Sequence, residues 1–201
     1  MGAEKNLDAF ERALLSSLRK KVSTLNLWRD IPVGENPPEK VNVVIEVNIK
    51  SRAKYEYDVR REAFVLDRVL HSSTVFPVEY GFIPQTWFID NDPLDIMVLS
   101  YAELHVGCII EARPIGALIM EDEKGEDSKI LSVPIKDSRF DGYQKLSDVP
   151  PSLLKEIQEF FETYKRLEPE KWGRFKAWKD VDDAEKIIRA SIKLYKETFL
   201  K

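Results

Sequence analysis

The chain has 201 residues, 43% hydrophobic and 10% aromatic, enough to bury a core of single-domain size. Its 31 basic and 35 acidic residues leave a formal net charge of −4 and a pI near 5.4, a poor footing for nucleic acid or an anionic membrane. A single cysteine, Cys108, excludes an internal disulfide, and no run is apolar and long enough to span a bilayer.

Residues 4 to 25 place Leu7, Phe10, Leu14, Leu18, Val22 and Leu25 at helical spacing, which predicts an amphipathic helix. The same stretch has no uninterrupted apolar core, so it does not read as a signal peptide. Glu4, Asp8 and Glu11 argue against a mitochondrial presequence, and Asn6 against N-myristoylation. The cytoplasm is the expected location. RDIPVGENPPEK then breaks the pattern, so residues 1–26 read as an extension and 27–201 as one domain.

Strand patterns dominate from 41 to about 135. VNVVIEVNI sets Val41, Val43, Ile45, Val47 and Ile49 on one face and Glu46 on the other. KYEYD puts Lys54 and Glu56 together, opposite Tyr55 and Tyr57, which read as strand packing. AFVLDRVL carries Arg68 on the face of Phe64, Leu66 and Leu70, an odd place for a guanidinium. CIIEARPIGALIM and KILSVPI are two more strands joined by the acidic turn EDEKGEDS, with Cys108 as a small apolar residue. A helix starts at Pro-Pro-Ser and carries a stripe of Leu153, Leu154, Ile157, Phe160, Phe161 and Tyr164; another runs from about Asp182 to Thr198. Strands first and helices last predict an α+β fold, a small antiparallel barrel or sheet capped by helices.

Two acidic clusters stand out. FIDNDPLDIMVL puts Asp90, Asp92 and Asp95 into six positions between apolar runs. Like charges so close repel and lose hydration at a core edge unless a cation joins them. An EF-hand fails, since Leu94, Asp95 and Tyr101 occupy positions 5, 6 and 12 of such a loop. A dehalogenase-like Asp-x-Asp nucleophile needs repeated strand–helix units that the middle of the chain lacks. A plain Asn-Asp-Pro turn remains an alternative. The second cluster is Asp122, Glu123, Glu126 and Asp127 around Gly125, followed by Lys129; its alternative is a solvated hairpin tip. Hard carboxylate oxygens suit Mg²⁺ or Mn²⁺. His71 and His105 lack zinc-site spacing, and no GxSxG, Walker loop or CxxC is present. Hydrolysis of a small, highly charged phosphate compound fits what remains.

The stretch Asp90-Asn91-Asp92-Pro93-Leu94-Asp95 resembles the signature of soluble, family I inorganic pyrophosphatases. The likeness continues through VVIEV, KYEYD, VLDRVL, FPVEYGFIPQT, ARPIGALIMEDEKGEDSKI and FFETYK, over about residues 28 to 178, in the manner of the compact prokaryotic and plant branches. It implies a five-stranded OB-like antiparallel barrel with flanking C-terminal helices. It implies hydrolysis of pyrophosphate to two orthophosphates with several Mg²⁺ ions, Mn²⁺ being a substitute. By that resemblance Asp90, Asp95 and Asp127 hold the tightest metal, Asp95 bridges to a second, and Asp122 with Asp127 holds a third. Glu46 and Glu56 act partly through metal-bound water, and Asp92 takes the proton of the attacking water. Lys54, Arg68, Tyr80, Lys129, Tyr164 and Lys165 match the phosphate-binding set. A homo-oligomer, with a hexamer favoured, is the family expectation.

Phe76 stands where many members have tyrosine, and Glu79 where asparagine is common, which would add a charge beside Tyr80. The N-terminal helix lies outside the shared core; packing between subunits is its expected use, and an unchanged oligomer after deleting residues 1 to 26 would refute that. Two rival functions are an OB-type binding module, which would want a basic groove with stacking aromatics, and a phosphatase of broader specificity.

Overall fold

The computed structural model describes residues 8–10 and 25–200. The helix expected over 4–25, and with it most of the 1–26 extension, lies outside the described residues. From Val41 onward the chain forms β1 (Val41–Val47), β2 (Ala53–Asp58), β3 (Ala63–Val69), β4 (Glu79–Phe82), β5 (Asp95–Val98), β6 (Ile109–Asp122) and β7 (Gly125–Pro134). Then come α1 (Pro151–Thr163), β8 (Gly173–Asp180) and α2 (Val181–Phe199).

Six strands share one sheet in the order β1-β4-β5-β7-β6-β8, and β1 also pairs with β6; β2 and β3 form a separate hairpin. The sheet is not purely antiparallel as expected, because β5 runs parallel to β7, Ile96 facing Ile130. Nor do all strands precede the helices. β8 lies between α1 and α2 on the sheet's edge, where Arg174, Lys176 and Lys179 alternate with Phe175, Ala177 and Trp178 and keep the edge polar.

β1 departs from the expected alternation. Val44 and Glu46 are buried along with Val41, Val43 and Ile45, because β1 is flanked by β4 and β6 and covered on both faces. The strand ends at Val47, short of Ile49. Opposite Ile45 stands Gly81 of β4, where a Cβ would lie 1.9 Å from the Val44 carbonyl oxygen. Only glycine lets the two backbones approach that far.

α1 starts with a proline in its first turn and buries Ile157, Phe160 and Phe161. They join Phe76, Tyr80, Met97, Leu118 and Leu131 in one core cluster. α2 is capped by the Asp180 carboxylate, which accepts from Val181 N. Its buried Ala184, Ile188, Ser191 and Tyr195 recur at spacings of four, three and four; Ala184 and Ile188 meet Val43, Ile45 and Ile130 on the other side of the sheet. Cys108 lies just before β6, half-buried against this second cluster. No helix among the described residues is long and apolar enough to cross a membrane.

Candidate functional site

A cavity of about 690 Å³ opens where the β2–β3 hairpin, the loop before β5, the β6–β7 hairpin and the end of α1 meet. All thirteen residues singled out in the sequence border it: Glu46, Lys54, Glu56, Arg68, Tyr80, Asp90, Asp92, Asp95, Asp122, Asp127, Lys129, Tyr164 and Lys165. They come from seven strands, one loop and one helix end.

Local chemistry explains the placement. In the loop before β5, buried Thr86 donates through its hydroxyl to the Ile83 carbonyl and accepts from Leu94 N, fixing both ends. Phe88 N donates to the Asp92 carbonyl and Asp92 N to the Asp90 carboxylate, while Asn91 takes a left-handed φ of 65°, which asparagine tolerates. The turn reading of Asn-Asp-Pro therefore holds, and the same turn delivers Asp90 and Asp92 to the cavity. On the β6–β7 hairpin, Met120 faces Asp127 and Leu118 faces Lys129, so the period of two puts Asp122, Asp127 and Lys129 on one face. Gly125, at φ +120°, makes the tight turn between them.

Acids and bases meet one another across this wall. Lys129 Nζ donates to Asp127 at 2.5 Å, to Asp95 at 2.8 Å and to Tyr80 Oη at 3.1 Å; Tyr80 in turn donates to Asp95. Burial alone would pull the Lys129 pKa down, but Asp127 and Asp95 outweigh it and hold the ammonium charged. Lys165 donates to Asp122 at 2.8 Å. Burial pushes the Asp122 carboxyl up, yet Lys165 and the Lys124 amide leave it below its usual range. Lys54 donates to Glu56 and, at 3.2 Å, to Asp67; burial opposes its charge and Glu56, Tyr164 and Asp67 more than restore it.

In two acids the compensation falls short. Burial and repulsion from Asp95 and Asp92 raise Asp90 to about 7. Glu46, buried beneath the cavity and accepting from Tyr57 N at 2.7 Å, is raised to about 8, chiefly by burial. Asp92 sits at the rim with 61% of its side chain exposed and Lys124 3.7 Å away; desolvation raises its pKa against the pull of that lysine.

Among the described residues no three His, Cys, Asp or Glu side chains converge closely enough to hold a metal ion as they stand. Asp95, Asp127, Glu56 and Asp122 are engaged by lysines instead. The donor set is nevertheless all hard oxygen, and Asp90 is both buried and repelled by Asp95 and Asp92. That chemistry fits Mg²⁺ or Mn²⁺, and the cavity border includes neither histidine nor cysteine for a softer metal.

Some expectations need correction. Glu79 adds no charge to the cavity. It precedes Tyr80 on β4 and so faces the other way, fully buried, accepting from Leu104 N at 3.0 Å. Phe76 is packed 4.7 Å from Phe160 and 5.7 Å from Tyr80, ring centre to ring centre, as core beneath the cavity. Tyr164 serves both readings offered by its stripe: it stacks on Phe160 at 5.1 Å and borders the cavity. Lys171 and Lys124 also border it and were missed, since exposed lysines carry no local signal. Asp67 and Glu168, which hold Arg68, were missed because their partner is set by packing.

Known proteins share this sequence and fold. The family model described as inorganic pyrophosphatase matches residues 43–196. The inorganic pyrophosphatase of Haloferax volcanii is 43% identical over 175 residues, 87% of this chain and 99% of that protein. That of Thermus thermophilus is 47% identical over 170 residues, 84% and 97% of the two chains. Its crystal structure superposes with a TM-score of 0.83, covering 86% of this chain and 99% of that one. The structure from Helicobacter pylori gives 0.77 at 37% identity, over 83% and 98%. This chain belongs to the inorganic pyrophosphatase family.

Proposed function

We propose that this chain hydrolyses inorganic pyrophosphate to two orthophosphates with the help of several Mg²⁺ ions, Mn²⁺ being able to substitute. One observation carries the reading: a single cavity wall holds seven carboxylates and four cationic side chains of the expected set, interleaved, with acids in excess. Such a wall suits a compact polyanion that arrives with divalent cations.

Asp90, Asp95 and Asp127 would hold the tightest metal, Asp95 would also reach a second, and Asp122 with Asp127 a third; Glu46 and Glu56 would contribute partly through water. Bound there, the metal would neutralise phosphate oxygens and make a water more acidic. The protein's own residues do the rest. Lys54, Arg68, Lys129 and Lys165, with the hydroxyls of Tyr80 and Tyr164, grip phosphate oxygens and hold one phosphorus in line with a water. Asp92 accepts that water's proton as the new P–O bond forms and the bridging P–O bond breaks. Its raised pKa makes it a stronger base than an ordinary aspartate, and its exposed position at the rim lets it pass the proton to solvent. The same cations stabilise the charge that builds on the departing phosphate.

We read the pairings β1-β4-β5-β7-β6, with β6 back on β1, as a five-stranded OB-like barrel whose mouth carries the cavity. A homo-hexamer in the cytoplasm, removing pyrophosphate and so driving biosynthetic reactions forward, completes the proposal. The test is orthophosphate release from pyrophosphate with Mg²⁺, with and without chelator, beside Asp92→Asn. Release that needs metal and falls about 10²- to 10⁴-fold in the variant supports the reading. A well-folded protein inactive with Mg²⁺, Mn²⁺ and Zn²⁺ overturns it, and equal cleavage of a phosphate monoester would favour the broader phosphatase.

A further inference from the structure

Arg68 is not held by its own hairpin alone. Its Nε donates to Asp67 at 2.8 Å, and its Nη1 donates to Glu168, a hundred residues further along. Glu168 sits in the turn after α1, where its N–H donates to the Lys165 carbonyl at 2.8 Å. It is only 8% exposed, and its second oxygen, Oε1, is buried with no hydrogen-bond partner. Lys171 Nζ stands 3.6 Å from the bonded oxygen. Asp67 accepts from Lys54 with the same oxygen that holds Arg68, so Lys54, Asp67, Arg68 and Glu168 form one chain of contacts.

The location gives this chain a purpose. β2 and β3 form a two-stranded sheet of their own, apart from the six-stranded one. A two-stranded hairpin is marginal without support, and this one carries Lys54, Glu56 and Arg68 into the cavity. A carboxylate buried in this way is costly unless a cation meets it with good geometry. Two carboxylates at different edges of one guanidinium also fix its plane, which a single partner would not.

We propose that Glu168 is a positioning residue: it ties the hairpin to the turn after α1 and fixes the plane in which Arg68 meets a phosphate group. The inference rests on the pyrophosphatase reading above. Loss of the tie leaves Arg68 free to rotate about its bond to Asp67, so substrate binding weakens while the hydrolytic step is largely kept.

The test is a double-mutant cycle of Glu168→Gln with Arg68→Ala, read as KM and kcat for Mg²⁺-pyrophosphate. Competition by methylenediphosphonate, which cannot be hydrolysed, is measured in parallel. Glu168→Gln is expected to raise KM and weaken the diphosphonate about tenfold, with kcat within about threefold, and to do almost nothing further when Arg68 is already alanine. Should Glu168→Gln not fold, Glu168→Asp, which keeps the charge but falls one methylene short, carries the same cycle with a smaller shift. A merely structural Glu168 would lower the amount of active enzyme, and so kcat, without moving KM. That outcome, substrate binding that is unchanged or tighter, or equal losses with and without Arg68, would overturn the inference. A wild type that releases no orthophosphate at all overturns the underlying reading instead, and the inference with it.

Discussion

Glu79 offers a sharp test of how this fold treats a buried charge. Its side chain has no exposed surface, one oxygen accepts from Leu104 N at 3.0 Å, and the other has no partner. Burial, opposed by the Leu104 and Ile49 amides and aided by repulsion from Glu103, raises its pKa from 4.5 to about 7. The folded protein therefore binds a proton more tightly here than the unfolded chain does. Stability from this group is fully present below the unfolded value of 4.5 and is lost as pH rises through about 7. At 1.36 kcal/mol per pKa unit the total loss is about 3 kcal/mol. Glutamine mimics the protonated acid, accepting from the same amide and leaving a donor where the acid has its hydroxyl. Glu79→Gln should match wild type near pH 4.5 and exceed it by about 3 kcal/mol at pH 8 and above. Urea unfolding followed by the fluorescence of the four tryptophans, run at several pH values, measures the gap directly. A difference that does not change with pH, or a wild type more stable at pH 8, would refute the reasoning.

Lys129→Met leaves Asp95 and Asp127 without their shared ammonium. It should cost about 2 kcal/mol in the presence of chelator, less than a fully buried pair because Asp95 keeps 26% of its side chain exposed. Added Mg²⁺ should then raise the melting temperature of the variant more than that of wild type, as thermal unfolding with and without the ion will show. Gly81→Ala drives a Cβ into the Val44 carbonyl and should cost at least about 4 kcal/mol, whereas Gly142→Ala, with nothing within 4 Å, should stay within about 0.5 kcal/mol; urea midpoints compare the two.

Short-range spacing alone made part of this protein legible. Asp90, Asp92 and Asp95 are acids in a turn whatever surrounds them, and Asp122, Asp127 and Lys129 share a face because a hairpin has a period of two. The apolar stripes of α1 and α2 follow from helical spacing in the same way. Likeness to a known family supplied Glu46, Lys54, Glu56, Arg68, Tyr80, Tyr164 and Lys165, which no local pattern would have joined.

Other features depend on which segments meet, and one-dimensional spacing does not record that. β1 is buried on both faces because α2 packs against Val43 and Ile45 on one and Trp28, Tyr57 and Tyr195 against Val44 on the other, so its alternation misled. β5 runs parallel to β7 although they are neighbours in the sheet, and β8 returns to the edge between two helices. Glu79 turns away from the cavity through the same alternation that aims Tyr80 into it. The lysines that engage Asp95, Asp127 and Asp122, and the Glu168 that holds Arg68, were chosen by packing. A charge finds its partner through space, in the low-dielectric crevice where the attraction is strongest, and only the folded chain decides which residues share that crevice.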